Sequence, residues 1–109
     1  MTDNLIDETV LDELQNDTGA EFLEELVTTF LEEAPGMIAE LKSAKETSDA
    51  DTFRRAAHSI KSNANVFGAT SLSELAMKME LEGDKAVEIS ALEDVLSKTE
   101  HALRGYLDA

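Results

Sequence analysis

Residues 50–68 read ADTFRRAAHSIKSNANVFG, and this stretch decides the fold. On a wheel of about 100° per residue starting at Phe53, the residues Ala56, Ala57, Ile60, Ala64 and Phe67 all lie within about 60° of it. With Phe53 itself, six apolar residues on one side of the wheel make a buried stripe, so the segment reads as an amphipathic helix over about 50–67. Gly68 is well placed to stop it. His58 falls off the stripe, at about 140°, with Arg54, Lys61, Asn65 and Ser62 at about 100°, 80°, 120° and 180°. These four stand at i−4, i+3, i+7 and i+4 from His58, the offsets that share a helix face.

Outward from this helix, apolar residues recur at helical spacing almost throughout, and no segment alternates as a strand would. Val10, Leu11 and Leu14 suggest a short first helix, with Asp7 as its N-cap. Asn16, Asp17 and Gly19 interrupt it. Thr18 followed by Glu21 reads as a capping box opening a helix with Leu23, Leu26, Val27, Phe30 and Ala34 on one face. Pro35 is expected to stop or kink that helix. Met37, Ile38, Leu41 and Ala44 continue the stripe to about Thr47, and Ser48 and Asp49 supply a break and an N-cap. Beyond Gly68, Ser71 and Glu74 form a second capping box for a helix carrying Leu72, Leu75, Ala76 and Met79 that ends at Gly83. Ser90 and Glu93 repeat the signature before a last helix with Leu92, Val95, Leu96, Leu103, Tyr106 and Leu107. Short loops between helices favour antiparallel neighbours. The expected architecture is an all-α, up-down antiparallel four-helix bundle, a single domain over 1–109, with a short additional N-terminal helix across one end.

The composition narrows the function. The chain has 109 residues, 24 acidic and 9 basic, a net charge of −15, and no cysteine. Disulfides, thiolate metal sites and a cysteine nucleophile are thereby excluded. A surface this acidic repels nucleic acid and anionic membranes alike. The segment from Met1 to Asp12 lacks the basic and apolar regions of a signal peptide, and no apolar run is long enough to span a bilayer. A cytoplasmic monomer is expected, and Met1 with the compact length reads as a free-standing chain.

A lone histidine is commonly a solvated surface group or a satisfied core residue. His58 points away from the apolar stripe, which argues against the core version. The surface version must explain why Arg54, Arg55 and Lys61, three of only nine cations, gather within eight positions around it. Cations beside an imidazole suit an anion that the imidazole binds or accepts, and Ser62 is small enough for another protein to approach the ring. His101, in contrast, lies opposite the apolar stripe of its helix among Lys98, Glu100 and Arg104, and reads as a solvated residue. The two histidines stand on different helices, no cluster of carboxylates accompanies His58, and no metal site is expected. No glycine-rich phosphate loop is present, so no ATP site is expected either.

The run Ala57-His58-Ser59-Ile60-Lys61-Ser62-Asn63-Ala64-Asn65-Val66-Phe67-Gly68-Ala69 resembles the signature of histidine-containing phosphotransfer (HPt) domains. That signature has alanine before the phospho-accepting histidine, an aliphatic residue two positions after it, lysine at the third and glycine at the tenth. Ala57, Ile60, Lys61 and Gly68 match these positions. Phe53 and Arg55 are similar to the family's approach to the histidine, and Leu75-Ala76 with Leu81-Glu82 to its following helix. The resemblance covers about residues 18–107. Ser62 departs from it, standing where the family usually has glycine.

The resemblance implies a phosphorelay intermediate. His58 would take a phosphoryl group from the aspartyl phosphate of a response-regulator receiver domain and pass it to the aspartate of another, with a hybrid histidine kinase as a further partner. Lys61 would stabilise the transferring group, assisted by Arg54 or Asn65. Magnesium would come with the receiver, with no cofactor bound by this chain and no autonomous kinase activity. A docking patch ringing His58 would draw on Arg55, Val66, Leu11 and Leu14, although Leu11 and Leu14 also suit a role capping the core. Two other classes compete. Gly68-Ala69-Thr70-Ser71-Leu72 superficially resembles the attachment motif of acyl carrier proteins, with Ser71 as the modified residue. A non-catalytic interaction module is the remaining option.

Overall fold

The computed structural model describes residues 5–108, so the readings that touch residues 1–4 and 109 lie outside it. The described residues form helices and connecting turns: α1 (Glu8–Thr18), α2 (Ala20–Glu46), α3 (Ala50–Val66), α4 (Thr70–Glu82) and α5 (Ile89–Asp108). The boundaries follow from local chemistry. Asp7 caps α1, its carboxylate accepting from the Thr9 amide at 3.0 Å. Asp49 caps α3 in the same way, accepting from both the amide and the hydroxyl of Thr52. Those two bonds, the hydroxyl's first, hold its carboxyl below the usual range. Gly83 ends α4.

Four expectations need correction. Pro35 neither stops α2 nor divides it. The helix runs unbroken for 27 residues with Pro35 inside it. Phe30 and Ala34 before the proline stay in phase with Ile38 and Leu41 after it, and all four are buried. Burial of that continuous stripe outweighs the lost backbone bond, while Pro35 itself lies on the exposed side.

Thr18 does not open α2. Its hydroxyl turns back to the Leu14 carbonyl at 2.8 Å, and Gly19, at φ 92°, serves as both the end of α1 and the cap of α2. A threonine is strained at such a φ and a glycine is not. Ser71 and Ser90 are not caps either, because α4 begins at Thr70 and α5 at Ile89, placing both serines within first turns. In α4 the chain turns the corner from α3 so tightly, with the Ala69 amide on the Ala64 carbonyl at 2.8 Å, that the helix starts early. In α5 the Ala91 and Leu92 amides close on the Glu88 carbonyl, and Glu93 instead pairs with Lys42 at 2.9 Å.

The core runs between α2, α3, α4 and α5, since α3 packs on α2 and α4 while α5 packs on the same two helices. Phe30 and Phe67 stack at its centre with ring centroids 5.3 Å apart. The stripe of α3, Phe53, Ala56, Ala57, Ile60 and Ala64, is buried as the wheel requires. Small alanines let α3 lie close to both neighbours, and the opposite face of α3 is left to solvent.

Helix α1 is tied to the end of α3. The Asp7 amide donates to the Gly68 carbonyl at 2.7 Å. Gly68 has φ +65°, and a Cβ there would stand 2.7 Å from the Asp7 carbonyl oxygen and 2.9 Å from the Val10 Cβ. Glycine is therefore required twice over, by conformation and by the close approach of α1. At the other side Tyr106 of α5 donates to the Asp12 carboxylate at 2.5 Å, and that bond is the main cause pushing the phenol up to about 12.

Candidate functional site

His58 sits on the third turn of α3, its side chain 56% exposed. The backbone of α3 places it there: the stripe fixes which side faces in, and His58 falls beside the seam with α4. Across that seam stands Glu80. Its Oε2 lies 2.7 Å from His58 Nδ1, and its Oε1 lies 2.8 Å from the Lys61 ammonium. The carboxylate is only 16% exposed and Lys61 only 24%. The hydrogen bond from Lys61, and then that from His58, hold the Glu80 carboxyl below its ordinary value of 4.5. Glu80 is thus ionised at neutral pH, with Oε2 against His58 Nδ1 and Oε1 paired with the Lys61 ammonium.

This arrangement decides the tautomer. A carboxylate can only accept, so Nδ1 must carry the proton it donates. In the neutral ring Nε2 then has the lone pair, aimed away from Glu80. The result is an exposed imidazole with a fixed ring plane and a nucleophilic nitrogen free of the Glu80 contact.

The other sequence candidates divide. Arg54 pairs with Asp51 at 2.9 Å on the same helix, with both groups largely exposed. Asn65 accepts at Oδ1 from the Ser73 hydroxyl of α4 at 2.6 Å, one link of the α3–α4 seam. Arg55, Ser62 and Val66 are exposed on α3. Leu11 is fully buried and packed into the core, which removes it from the docking candidates: a side chain with no exposed surface cannot meet a partner. Leu14 is half-buried against the same core. The positive patch around His58 is also smaller than the count of cations suggests, because Asp51 and Glu80 neutralise Arg54 and Lys61. A wheel of α3 holds only that helix's residues, and the carboxylate that pairs with Lys61 comes from α4. His101 is exposed on α5, next to the Arg104–Glu100 pair.

Glu80 is the residue that sequence reasoning missed. The family resemblance falls on Leu81-Glu82, the two residues that follow it. The usable signal was Ala76: Glu80 follows it by four positions and Met79 by one, so Glu80 stands at the edge of the buried stripe of α4. A carboxylate in that place calls for a cation across the interface.

A family model for the Hpt domain matches residues 25–109. The chain belongs to the Hpt domain family. The fold agrees: the structure is similar to the crystal structure of histidine-containing phosphotransfer protein B (HptB) from Pseudomonas aeruginosa PAO1, with a TM-score of 0.87 and 20% identity over 98% of this chain and 97% of that one. No curated protein sequence gives a significant match. As an Hpt protein the chain functions in histidine phosphotransfer within phosphorelays, where receiver domains and histidine kinases are the partner classes. Family membership also displaces the acyl-carrier reading of Ser71, which lies half-buried in the first turn of α4. Among the described residues of this Hpt chain, no helix is long and apolar enough to cross a membrane.

Proposed function

We propose that His58 is the phospho-accepting residue and that Nε2 is the reacting atom. What supports the reading is the Glu80 contact at Nδ1, which leaves the second ring nitrogen with its lone pair toward solvent. In the forward step Nε2 attacks the phosphorus of a receiver's aspartyl phosphate. The N–P bond forms, the bond from phosphorus to the aspartyl oxygen breaks, and the aspartate leaves as a carboxylate. The ring keeps its Nδ1 proton, gains positive charge, and has that charge balanced by ionised Glu80. The reverse step returns the group to the aspartate of a second receiver. Lys61, held one turn from His58 by Glu80, has further donors for the equatorial phosphoryl oxygens. Arg54 and Asn65 assist at the flanks, and small Ser62 leaves room over the ring.

In this reading α2 to α5 form an up-down antiparallel bundle with α1 across one end, and the rigid bundle exists to present α3 to a partner. The chain acts as a cytoplasmic monomeric carrier with no autonomous kinase activity, served by receivers and a hybrid histidine kinase. Magnesium belongs to the receiver, which must neutralise its own acidic phosphorylation site. The experiment is transfer from a phosphorylated receiver with magnesium to the full chain. Wild type should become labelled, with a label lost in acid and kept in mild base, and His58→Gln should abolish it. A His58→Gln chain that still takes phosphate refutes the assignment.

A further inference from the structure

His58 has polar neighbours on both sides of its ring, and the structure separates them. On the α3 wheel His58 stands at about 140°, with Lys61, Arg54 and Asn65 at about 80°, 100° and 120° on one side. Ser62 and Arg55 stand on the other, at about 180° and 200°. The first side faces α4, where Lys61 and His58 itself meet Glu80 and Asn65 meets Ser73. The second side faces solvent, and both Arg55 and Ser62 are exposed there.

Nδ1 is turned to Glu80, and the two imidazole nitrogens lie on opposite sides of the Cβ–Cγ axis. Nε2 is therefore turned from α4 toward the side of Arg55 and Ser62. These two stand at i−3 and i+4 from His58, with Cβ atoms about 5–6 Å from its own. Side chains of a helix tilt toward its N-terminus, so Ser62 leans back over the ring and the ring leans toward the turn that carries Arg55. Phosphoryl oxygens projecting beyond Nε2 then come within reach of the hydroxyl and of the long guanidinium arm.

Neither side chain is engaged elsewhere in the chain. Of the three cations on α3, Arg54 is held by Asp51 and Lys61 by Glu80. Among the described residues Arg55 has no carboxylate within ion-pair distance, and it acts on Asp49 only through space, with less effect than the Thr52 hydroxyl and amide. The Ser62 hydroxyl makes no hydrogen bond among the described residues.

We infer that Arg55 and Ser62 are catalytic residues that hold the phosphoryl group at Nε2 of His58. This rests on the reading of His58 as the acceptor. As the N–P bond forms and the bond to the aspartyl oxygen breaks, negative charge lies on the equatorial oxygens. The Arg55 guanidinium donates to two of them and the Ser62 hydroxyl to the third, with no proton transferred. Ser62 stands where the family usually has glycine, so this chain has a donor that glycine lacks.

The test uses the full chain, a receiver phosphorylated with acetyl phosphate and magnesium, and potassium phosphoramidate, a donor too small to need docking. Arg55→Gln should lower kcat from the receiver and the rate of labelling by phosphoramidate about tenfold each, with KM for the receiver changed less than about twofold. Arg55→Lys should recover part of the loss. Ser62→Ala should slow both reactions about threefold. Phosphorus NMR of the phosphorylated chains reads the contact directly. Loss of an adjacent cation should raise the pH at which the phosphoryl group takes up a proton by about half a unit in Arg55→Gln. Arg104→Gln removes the same charge from α5 and should leave the rates and the titration as in wild type.

The proposal is overturned if Arg55→Gln raises KM while phosphoramidate labelling and the phosphorus titration stay as in wild type, since Arg55 then serves docking alone. Transfer at the wild-type rate by Ser62→Ala overturns it too, as does an equal loss in Arg104→Gln. Wild type that takes phosphate at His58 from neither donor overturns the acceptor reading as well, whereas normal labelling of His58 with unaltered variants overturns this assignment alone.

Discussion

At the scale of the residue, the feature that matters is a carboxylate shared between an imidazole and an ammonium. Glu80 is held ionised chiefly by Lys61 and then by His58, and in return it fixes the proton on Nδ1. Its folded carboxyl titrates below its ordinary value, so the unfolded chain binds more protons in the intervening range. The stability contributed by this group is present above the ordinary value of 4.5 and is lost as pH falls through the folded one. Glu80→Gln removes the charge but retains an oxygen that accepts from Nδ1. We expect the variant to fold, to transfer phosphate about tenfold more slowly through loss of charge balance, and to differ from wild type in urea stability less and less between about pH 6 and about pH 3. A stability difference that grows on acidification would contradict the ion-pair role. His58 itself was legible in sequence because its wheel position conflicts with the apolar stripe of its own helix. Glu80 was not, because the pairing depends on the register between two helices, and a wheel contains one.

At the scale of the element, the divergences share one cause. Pro35, Thr18, Ser71 and Ser90 all carry correct local preferences that longer-range packing overrode or that a neighbouring glycine or corner served better. The stripe from Leu23 to Ala44 in α2 is worth more than one missing hydrogen bond at Pro35. Conversely Gly68 shows local and tertiary demands agreeing, since positive φ and the proximity of Asp7 and Val10 both require it. We expect Gly68→Ala to cost about 1–3 kcal/mol, from backbone strain and the displaced α1 segment. Amide exchange should quicken first in α1 and at the α3–α4 corner, with α2 protected as before. Uniform loss of protection across all five helices would contradict this attachment of α1. For Leu11, spacing alone leaves core and contact surface equally open, and the packing of α1 on α2 decides that it is core.

At the scale of the molecule, a net charge of −15 sets a field that repels polyanions, yet it says little about the site. Two of the three cations near His58, Arg54 and Lys61, are matched by Asp51 and Glu80, so the site is polar and organised rather than strongly positive. On the proposed reading, the bundle distinguishes between its own groups. The chain has two histidines. One stands over the α3–α4 seam with its proton fixed by a carboxylate from another helix, and the other lies exposed on α5 beside an ion pair confined to that helix. The most direct measurement is a long-range proton–nitrogen spectrum of the whole chain, labelled in its two imidazoles, before and after phosphorylation. Before the reaction, we expect the His58 ring as the Nδ1-protonated tautomer; afterwards, its Nε2 should couple to phosphorus, with His101 unchanged. Phosphorus on His101, or on Nδ1 of His58, would contradict the claim that Glu80 and the bundle select the reacting atom.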